Sequence, residues 1–409
     1  MREKYYCGLD LGSQSIKAGL LKVKDAMSIE LAGVCEKKTY GFKDASVSDL
    51  GELSECIHSV TGELVKKTGI KFKQVHLGVG AEFIDIRHAN TVIPLVDRGT
   101  KIITRHDVQK ANDQARLLAL RIEEEILHDV PQHYVVDEIN RTTHPVGLYG
   151  RKLGVSSLMI ATDTTRIRNI IRAVHQAGHD VPHVFFSSYV SCGVALNDVE
   201  RVQGCFLVDI GSRTTVVLGL KEKILRSVGK IHLGGDHFTQ SLAERFQLSL
   251  DLAEEMKKSH VSVLRHDQNR EEEILVKREN AYRPVQRKNL CRSIEPEVES
   301  FLQGIQTLIT ESGLSEQIGG DIVVIGGGAL LPGLIERIAE ATERPVRLGK
   351  ININSRQISG NAALFVSAAG LAEAGFRKRL GYSMNQDDSH ATWAKRAANR
   401  LRELYQEYF

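Results

Sequence analysis

The stretch 204–220, GCFLVDIGSRTTVVLGL, decides the fold, because a second version of it stands at 6–20 as YCGLDLGSQSIKAGL. Each has an apolar strand, an aspartate, a glycine two residues on, a Ser-x-Ser/Thr step and a second apolar strand. The copies lie about 200 residues apart, which predicts a duplicated α/β fold with two facing hairpin loops. The residue types suit phosphate. Gly12 and Gly211 allow turns tight enough to aim backbone N–H groups at an anion. Ser13, Gln14, Ser15, Ser212, Thr214 and Thr215 supply polar side chains, and Lys17 supplies a cation. Asp10 and Asp209 are placed to hold Mg²⁺ through its waters, since that ion keeps part of its hydration shell. Either loop alone reads as readily as an ordinary hairpin.

Two further glycine motifs extend the pattern. In DIVVIGGGALLPGL (321–334) a buried strand runs into Gly326, Gly327, Gly328 and Ala329 and then a helix, so the backbone can approach a flat ligand and the helix start favours phosphate. In HLGGDHFT (232–239), Gly234 and Gly235 open another helix. Glu254 and Lys257, at i and i+3, share a helix face and are placed to bracket a ribose and base, or equally to form a solvated pair.

Composition sets the limits. The 409 residues are enough for two domains; 42% hydrophobic and 26% charged content is ordinary for a globular protein, and a formal charge of +3 gives no ground for nucleic-acid binding. Six cysteines without a C-x-x-C spacing read as reduced thiols of a cytosolic protein. The start, MREKYYCGLDLG, lacks the apolar core of a signal peptide, and no run of about 18 apolar residues spans a bilayer.

Helix and strand patterns alternate along the chain. A helix is expected near 49–67. One long helix is expected over 104–131, stopped by Pro131, then strands HYVVDEI and KLGVSSLMIAT, which together suggest an inserted α+β module. A helix at 164–178 takes Thr164 or Thr165 as its cap and Gly178 as its end. The charged segment 265–289 reads as a loop or hairpin, and 381–390 as a polar linker. In the closing ATWAKRAANRLRELYQEYF (391–409), helical spacing gathers Trp393, Ala397, Leu401, Leu404, Tyr405 and Tyr408 into one stripe, with Lys395, Arg396, Arg400 and Arg402 around it. That pattern suits a helix lying in a membrane interface, or one docking on a protein surface. Arg377, Lys378 and Arg379 just upstream add attraction to anionic lipid, about 1 kcal/mol per charge near the surface.

The order of these motifs resembles the actin/Hsp70/sugar-kinase superfamily and, within it, the FtsA family of bacterial cell division proteins, over nearly the whole chain. The runs PQHYVVDEINRTTHPVGLYGRKL (131–153) and EPEVESFLQGIQTLI (295–309) carry the closer likeness. The resemblance implies an actin-like, two-lobed, duplicated ribonuclease H-like fold with an inserted α+β subdomain, called 1C or SHS2. It implies subdomain 1A from 1–82, 163–203 and 361–378, 1C at 83–162, 2A from 204–235 and 319–360, and 2B at 236–318. A linker at 379–391 and a membrane-targeting helix at 392–409 complete the chain. ATP with Mg²⁺ is expected between the lobes, and filaments of the protein on the cytoplasmic side of the cell membrane at the division site. The expected partner is the C-terminal peptide of the ring protein FtsZ, met by 2B through the basic stretch RPVQRKNLCRSIEPE (283–297) with Arg287, Lys288 and Arg292; other division proteins are expected at 1C. Hydrolysing relatives carry Gln or Glu before the second phosphate loop, where Ser191, Cys192 or Gly193 is counted here, so slow ATP hydrolysis at best is expected. Gln14, Arg213 and the short linker depart from the family pattern. The alternatives are a scaffold like the pilus-assembly protein PilM, against which the terminal helix speaks, a small-molecule kinase of the superfamily, for which no catalytic Asp stands outside the two loops, and a chaperone-like ATPase, for which no β-rich domain follows.

Overall fold

The computed structural model describes residues 3–380, apart from 26–27, 44, 97–98, 266–271, 279–280 and 356–360. The expected linker from 381 and the amphipathic helix fall outside the described residues.

The two copies of the opening motif build two sheets on one plan. In the first lobe the strands run in the order Val184–Phe186, Val75–Val79, Lys4–Leu11, Ser15–Asp25, Ser28–Lys38, with Asn354–Ser355 at the far edge. The second runs Val346–Leu348, Ile322–Ile325, Cys205–Ile210, Thr215–Lys221, Ile224–Ile231. In both, an antiparallel hairpin pairs in parallel with the next strand: Asp10 stands opposite Gly78, and Asp209 opposite Ile325. Alternating side chains serve opposite faces, as a two-residue period requires. Cys7, Leu9 and Leu11 pack under the helices Leu50–Thr68 and Thr164–Gln176. Phe206, Val208 and Ile210 face the outer core of the second lobe, while Cys205 and Leu207 join the core shared with the first. Helices on both faces explain why these strands read as unbroken apolar runs.

Helix ends follow capping chemistry. Asp49 caps Leu50–Thr68, and Gly69 closes it with a left-handed backbone. The helix Thr164–Gln176 is capped by Asp163, not by Thr164 or Thr165, because the Asp163 carboxylate accepts the Arg166 N–H. Gly178 does end it, with φ of 93°. The helix Val366–Arg379 lies directly on the first sheet, since a Cβ on Gly8 would strike the Ala368 carbonyl.

The module between the first and second strand sets differs from the sequence reading. The expected helix over 104–131 ends at Ala119, and Glu124–Val136 is a strand. Its alternating burial pairs with Lys152–Asp163, and this tertiary pairing overrides the helix propensity of its glutamates. Pro131 does not stop a helix; it sits in the strand where the pairing skips Gln132, the bulge position at which a strand tolerates proline. Four strands, in the order Asn140–Thr142, Glu124–Val136, Lys152–Asp163, Ile84–Pro94, carry the helix Arg105–Ala119 on one face. Gln132 Nε2 donates to the Leu225 carbonyl at 2.8 Å and Arg226 donates to the Gln132 carbonyl at 2.9 Å, tying the module to the second lobe. The charged segment after Arg265 contains the hairpin Glu273–Arg278 and Ala281–Gln286. Among the described residues no helix is long and apolar enough to cross a membrane.

Candidate functional site

The hairpins of the two lobes meet across a cleft of about 460 Å³, within the range of small-ligand sites. The Gly12 N–H closes its hairpin on the Ser15 carbonyl at 3.2 Å, and the Gly211 N–H closes the other on the Thr214 carbonyl at 2.9 Å. These two N–H groups therefore shape the loops rather than face a ligand. A Cβ at either glycine would crowd those same carbonyls, which is why glycine stands there.

Most of the residues expected at the site converge on the cleft: Asp10, Gly12, Ser13, Gln14, Ser15 and Lys17 from the first lobe, Asp209, Gly211, Ser212 and Thr214 from the second, with Gly235, Glu254, Lys257, Gly326, Gly327 and Gly328. Three do not line it. Thr215 is fully buried and donates to the Leu233 carbonyl at 2.8 Å. Ala329 joins the outer core. Gly234 backs the second loop, where a Cβ would meet the Gly211 and Ser212 carbonyls.

Asp10 and Asp209 stand one residue before the ends of the two equivalent strands. Burial raises the Asp10 carboxyl, against the pull of Lys17 and a hydrogen bond from Ser187. Burial also pushes Asp209 up to about 6, with Asp10 adding to the rise and Ser188 and Lys17 opposing it. Among the described residues no three acidic, histidine or cysteine groups cluster as a metal cage. Two carboxylates fit a cation that keeps its waters and takes its remaining ligands from phosphate, the habit of Mg²⁺.

Glu254 and Lys257 pair at 2.6 Å, with Lys257 buried and Glu254 partly so, and not as a solvated surface pair. Lys257 Nζ also donates to the Gly235 carbonyl at 2.8 Å and to Thr239 Oγ1 at 2.7 Å. The pair therefore fastens the helix Leu250–His260 to the start of Gly235–Phe246 and forms one wall of the cleft.

Polar bridges cross the cleft mouth. Gln14 Nε2 donates to Asp236 Oδ1 at 3.1 Å, Lys38 meets Asp251 at 2.9 Å, and Arg213 stands 3.8 Å from Glu82. Arg213 thus reaches across to the other lobe. Sequence reasoning missed Ser187 and Ser188, whose hydroxyls reach Asp10 and Asp209. Of the three residues counted at the place of the relatives' Gln or Glu, Ser191 is fully buried and donates to the Ser187 carbonyl, Cys192 is buried, and none lines the cleft. The double serine opening the segment FFSSYVS was the available signal.

Of the basic residues expected to meet a peptide, Arg287 spends its guanidinium internally, on the His260 carbonyl at 2.8 Å and near Glu272 at 3.6 Å. Lys288 is half-buried and Arg292 exposed on the same short helix, Arg287–Ser293. Trp393, Lys395, Arg396, Arg400, Leu401, Leu404, Tyr405 and Tyr408 lie outside the described residues.

Two family models match, "Cell division protein FtsA" over residues 206–370 and "SHS2 domain inserted in FTSA" over 83–161, together more than half of the chain. Among curated relatives, the cell division protein FtsA of Streptococcus pneumoniae is 27% identical over 85% of this chain and 76% of that protein. The FtsA of Escherichia coli K12 is 24% identical over 98% of both. Among solved structures, the PilM–PilN type IV pilus biogenesis complex aligns with a TM-score of 0.66 at 16% identity, over 90% of this chain and 98% of that one. MreB5 of Spiroplasma citri bound to ADP aligns at 0.54 and 11% identity, over 93% and 99%. At these identities the structures speak for the fold, which is actin-like with an SHS2 insertion.

Proposed function

The chain belongs to the FtsA family of cell division proteins, and from that premise we propose that it is an ATP-binding, filament-forming adaptor that holds the FtsZ ring to the cytoplasmic face of the cell membrane. One observation carries the nucleotide part: the equivalent strands of two lobes carry Asp10 and Asp209 near their ends, on opposite sides of a single cleft walled by glycine turns and hydroxyls. Of the two structural neighbours described, MreB5 of Spiroplasma citri is bound to ADP.

In this reading the phosphates lie between Ser13–Ser15 and Ser212–Thr214, with Lys17 as counter-charge. The glycines 326–328 admit the flat base, and Glu254 and Lys257 flank the ribose. Asp10 and Asp209 are the residues that would hold Mg²⁺ through its hydration shell, and the ion would supply charge neutralisation at the phosphates. A ligand touching both lobes favours the closed arrangement only as far as it binds that arrangement better. The helix Ser187–Ala195, which precedes the second phosphate loop, carries no glutamine or glutamate to position a water, so ATP acts as a structural ligand with slow hydrolysis. The acidic FtsZ peptide docks beside the helix Arg287–Ser293, where Arg292 offers the exposed charge, and other division proteins meet the inserted module. The pilus-scaffold alternative rests on fold likeness alone.

The membrane part rests on the stripe Trp393, Leu401, Leu404, Tyr405 and Tyr408 within its basic surround. Co-sedimentation with vesicles containing anionic lipid, for the intact chain and for one truncated after Gly381, with and without ATP, tests it. The intact chain is expected to pellet, more so with ATP, and the truncated chain to stay in solution. Equal pelleting of both would remove the tail from the account.

A further inference from the structure

Ser187 and Ser188 open the helix Ser187–Ala195, and their hydroxyls go to opposite lobes. Ser187 Oγ donates to Asp10 Oδ1 at 2.6 Å, and Ser188 Oγ donates to Asp209 Oδ2 at 2.7 Å. Consecutive Cα atoms lie about 3.8 Å apart, so a single peptide unit fixes the spacing between the two contacts. The helix itself is held on several sides. Ser191 Oγ donates to the Ser187 carbonyl at 2.8 Å and shares a hydroxyl–hydroxyl hydrogen bond with Ser367 Oγ at 3.1 Å, in which its lone pair accepts. A Cβ on Gly370 would lie 2.7 Å from the Val190 carbonyl, so the helix Val366–Arg379 is pressed against this one. Ser187 Oγ fills the space that a side chain at Gly78 would need, and Gly78 pairs with Asp10. Packing thus fixes the backbone from which these hydroxyls reach.

We propose that Ser187 and Ser188 are positioning residues of the nucleotide site: the head of one helix yokes two carboxylates, one from each lobe, into the spacing at which they receive the water shell of a divalent cation on a nucleoside triphosphate. The proposal rests on the nucleotide reading above. Each serine takes one oxygen of its aspartate and leaves the second outside the clamp. An aspartate terminal torsion is broad, so an unclamped carboxylate turns. Mg²⁺ demands near-octahedral geometry, so its waters respond sharply to a displaced acceptor. Removing a hydrogen-bond partner of a direct metal ligand costs about 10–100-fold in affinity, and removing the serines, which act through carboxylates that meet the ion only through water, is expected to cost less. A serine that only packed would affect nucleotide with and without Mg²⁺ alike.

The test is calorimetric titration of the full chain with ATP, in excess Mg²⁺ and in EDTA, for the unsubstituted protein, Ser188→Ala and Ser188→Thr. Thermal melts check folding, and Ser188→Cys, which keeps the volume and weakens the donor, replaces an alanine variant that fails to fold. Ser188→Ala is expected to lose about three- to tenfold of the Mg²⁺-dependent gain in affinity, at or below the low end of what partners of direct ligands cost, with the EDTA arm unchanged within about twofold. Ser188→Thr restores the gain. An undiminished gain in Ser188→Ala, or an equal loss in both arms, overturns the inference while leaving the nucleotide site in place. Failure of the unsubstituted chain to bind ATP in either arm overturns the nucleotide reading and this inference with it.

Discussion

At the scale of single residues, Glu254 and Lys257 show how a pair that reads as surface charge becomes structure. Burial raises the Glu254 carboxyl, but the Lys257 charge, with hydrogen bonds from Lys257, Thr239 and Lys258, outweighs it and holds the group at about 2. Burial pulls the Lys257 ammonium down against the attraction of Glu254. The lysine's lost hydration thus offsets part of what the carboxylate gains, so the pair adds less than the Glu254 shift alone suggests. Breaking it costs more than it contributes. Lys257→Met leaves a partly buried carboxylate with a weaker partner and is expected to destabilise the fold by about 3 kcal/mol in urea denaturation. The sign with pH follows from the lowered carboxyl: its contribution is complete above the ordinary value of 4.5 and is lost as pH falls through about 2. The Met variant should therefore show a smaller loss of stability between pH 6 and pH 3 than the unsubstituted chain; an identical loss would refute the pairing. The i, i+3 spacing made the pair legible, but its burial was not, because that depends on Gly235 and Thr239 from another helix.

At the scale of elements, the duplicated hairpins were legible because their cause is local: an apolar run, then a glycine that the carbonyl three residues on requires. The glycine turn after Ile325 was legible from its residues alone, although the carbonyl that crowds Gly326 belongs to Ile210 on the neighbouring strand. The inserted module was harder. RIEEEILHDVP carries good helix formers, and only the partner strand Lys152–Asp163, more than twenty residues on, turns it into a strand. The true helix end is local only in hindsight: Glu123, with φ of 66°, stands in a left-handed turn just before the strand. The start of that helix is local throughout. Thr104 Oγ1 accepts the Asp107 N–H, and Asp107 accepts the Thr104 N–H at 2.9 Å and Lys101 at 2.7 Å. Thr104→Ala removes one side of this capping box and should cost about 1 kcal/mol. Hydrogen exchange is expected to quicken over Arg105–Ala119 while the strands Lys4–Leu11 and Cys205–Ile210 keep their protection. Uniform acceleration across the chain would mean that the cap supports the whole fold and not this module.

At the scale of the whole molecule, the tail and the cleft are linked by arithmetic rather than contact. Half-covering about five large side chains at a membrane surface contributes several kcal/mol, and ordering about 18 residues into a helix takes much of that back. A single copy of the tail should then bind lipid weakly and reversibly. Copies arrayed on one filament bind together, because once the first is seated the others search at a high effective concentration. If ATP in the cleft favours the array, lipid binding must depend steeply on protein concentration with ATP and only in simple saturation without it. Vesicle flotation across a protein dilution series, with ATP and without nucleotide, measures this directly. A sigmoidal curve is expected in the first case and a hyperbolic one, displaced to higher concentration, in the second. Hyperbolic curves of equal midpoint would show that each chain anchors alone, and the reason for joining a nucleotide-gated polymer to a weak lipid helix would disappear.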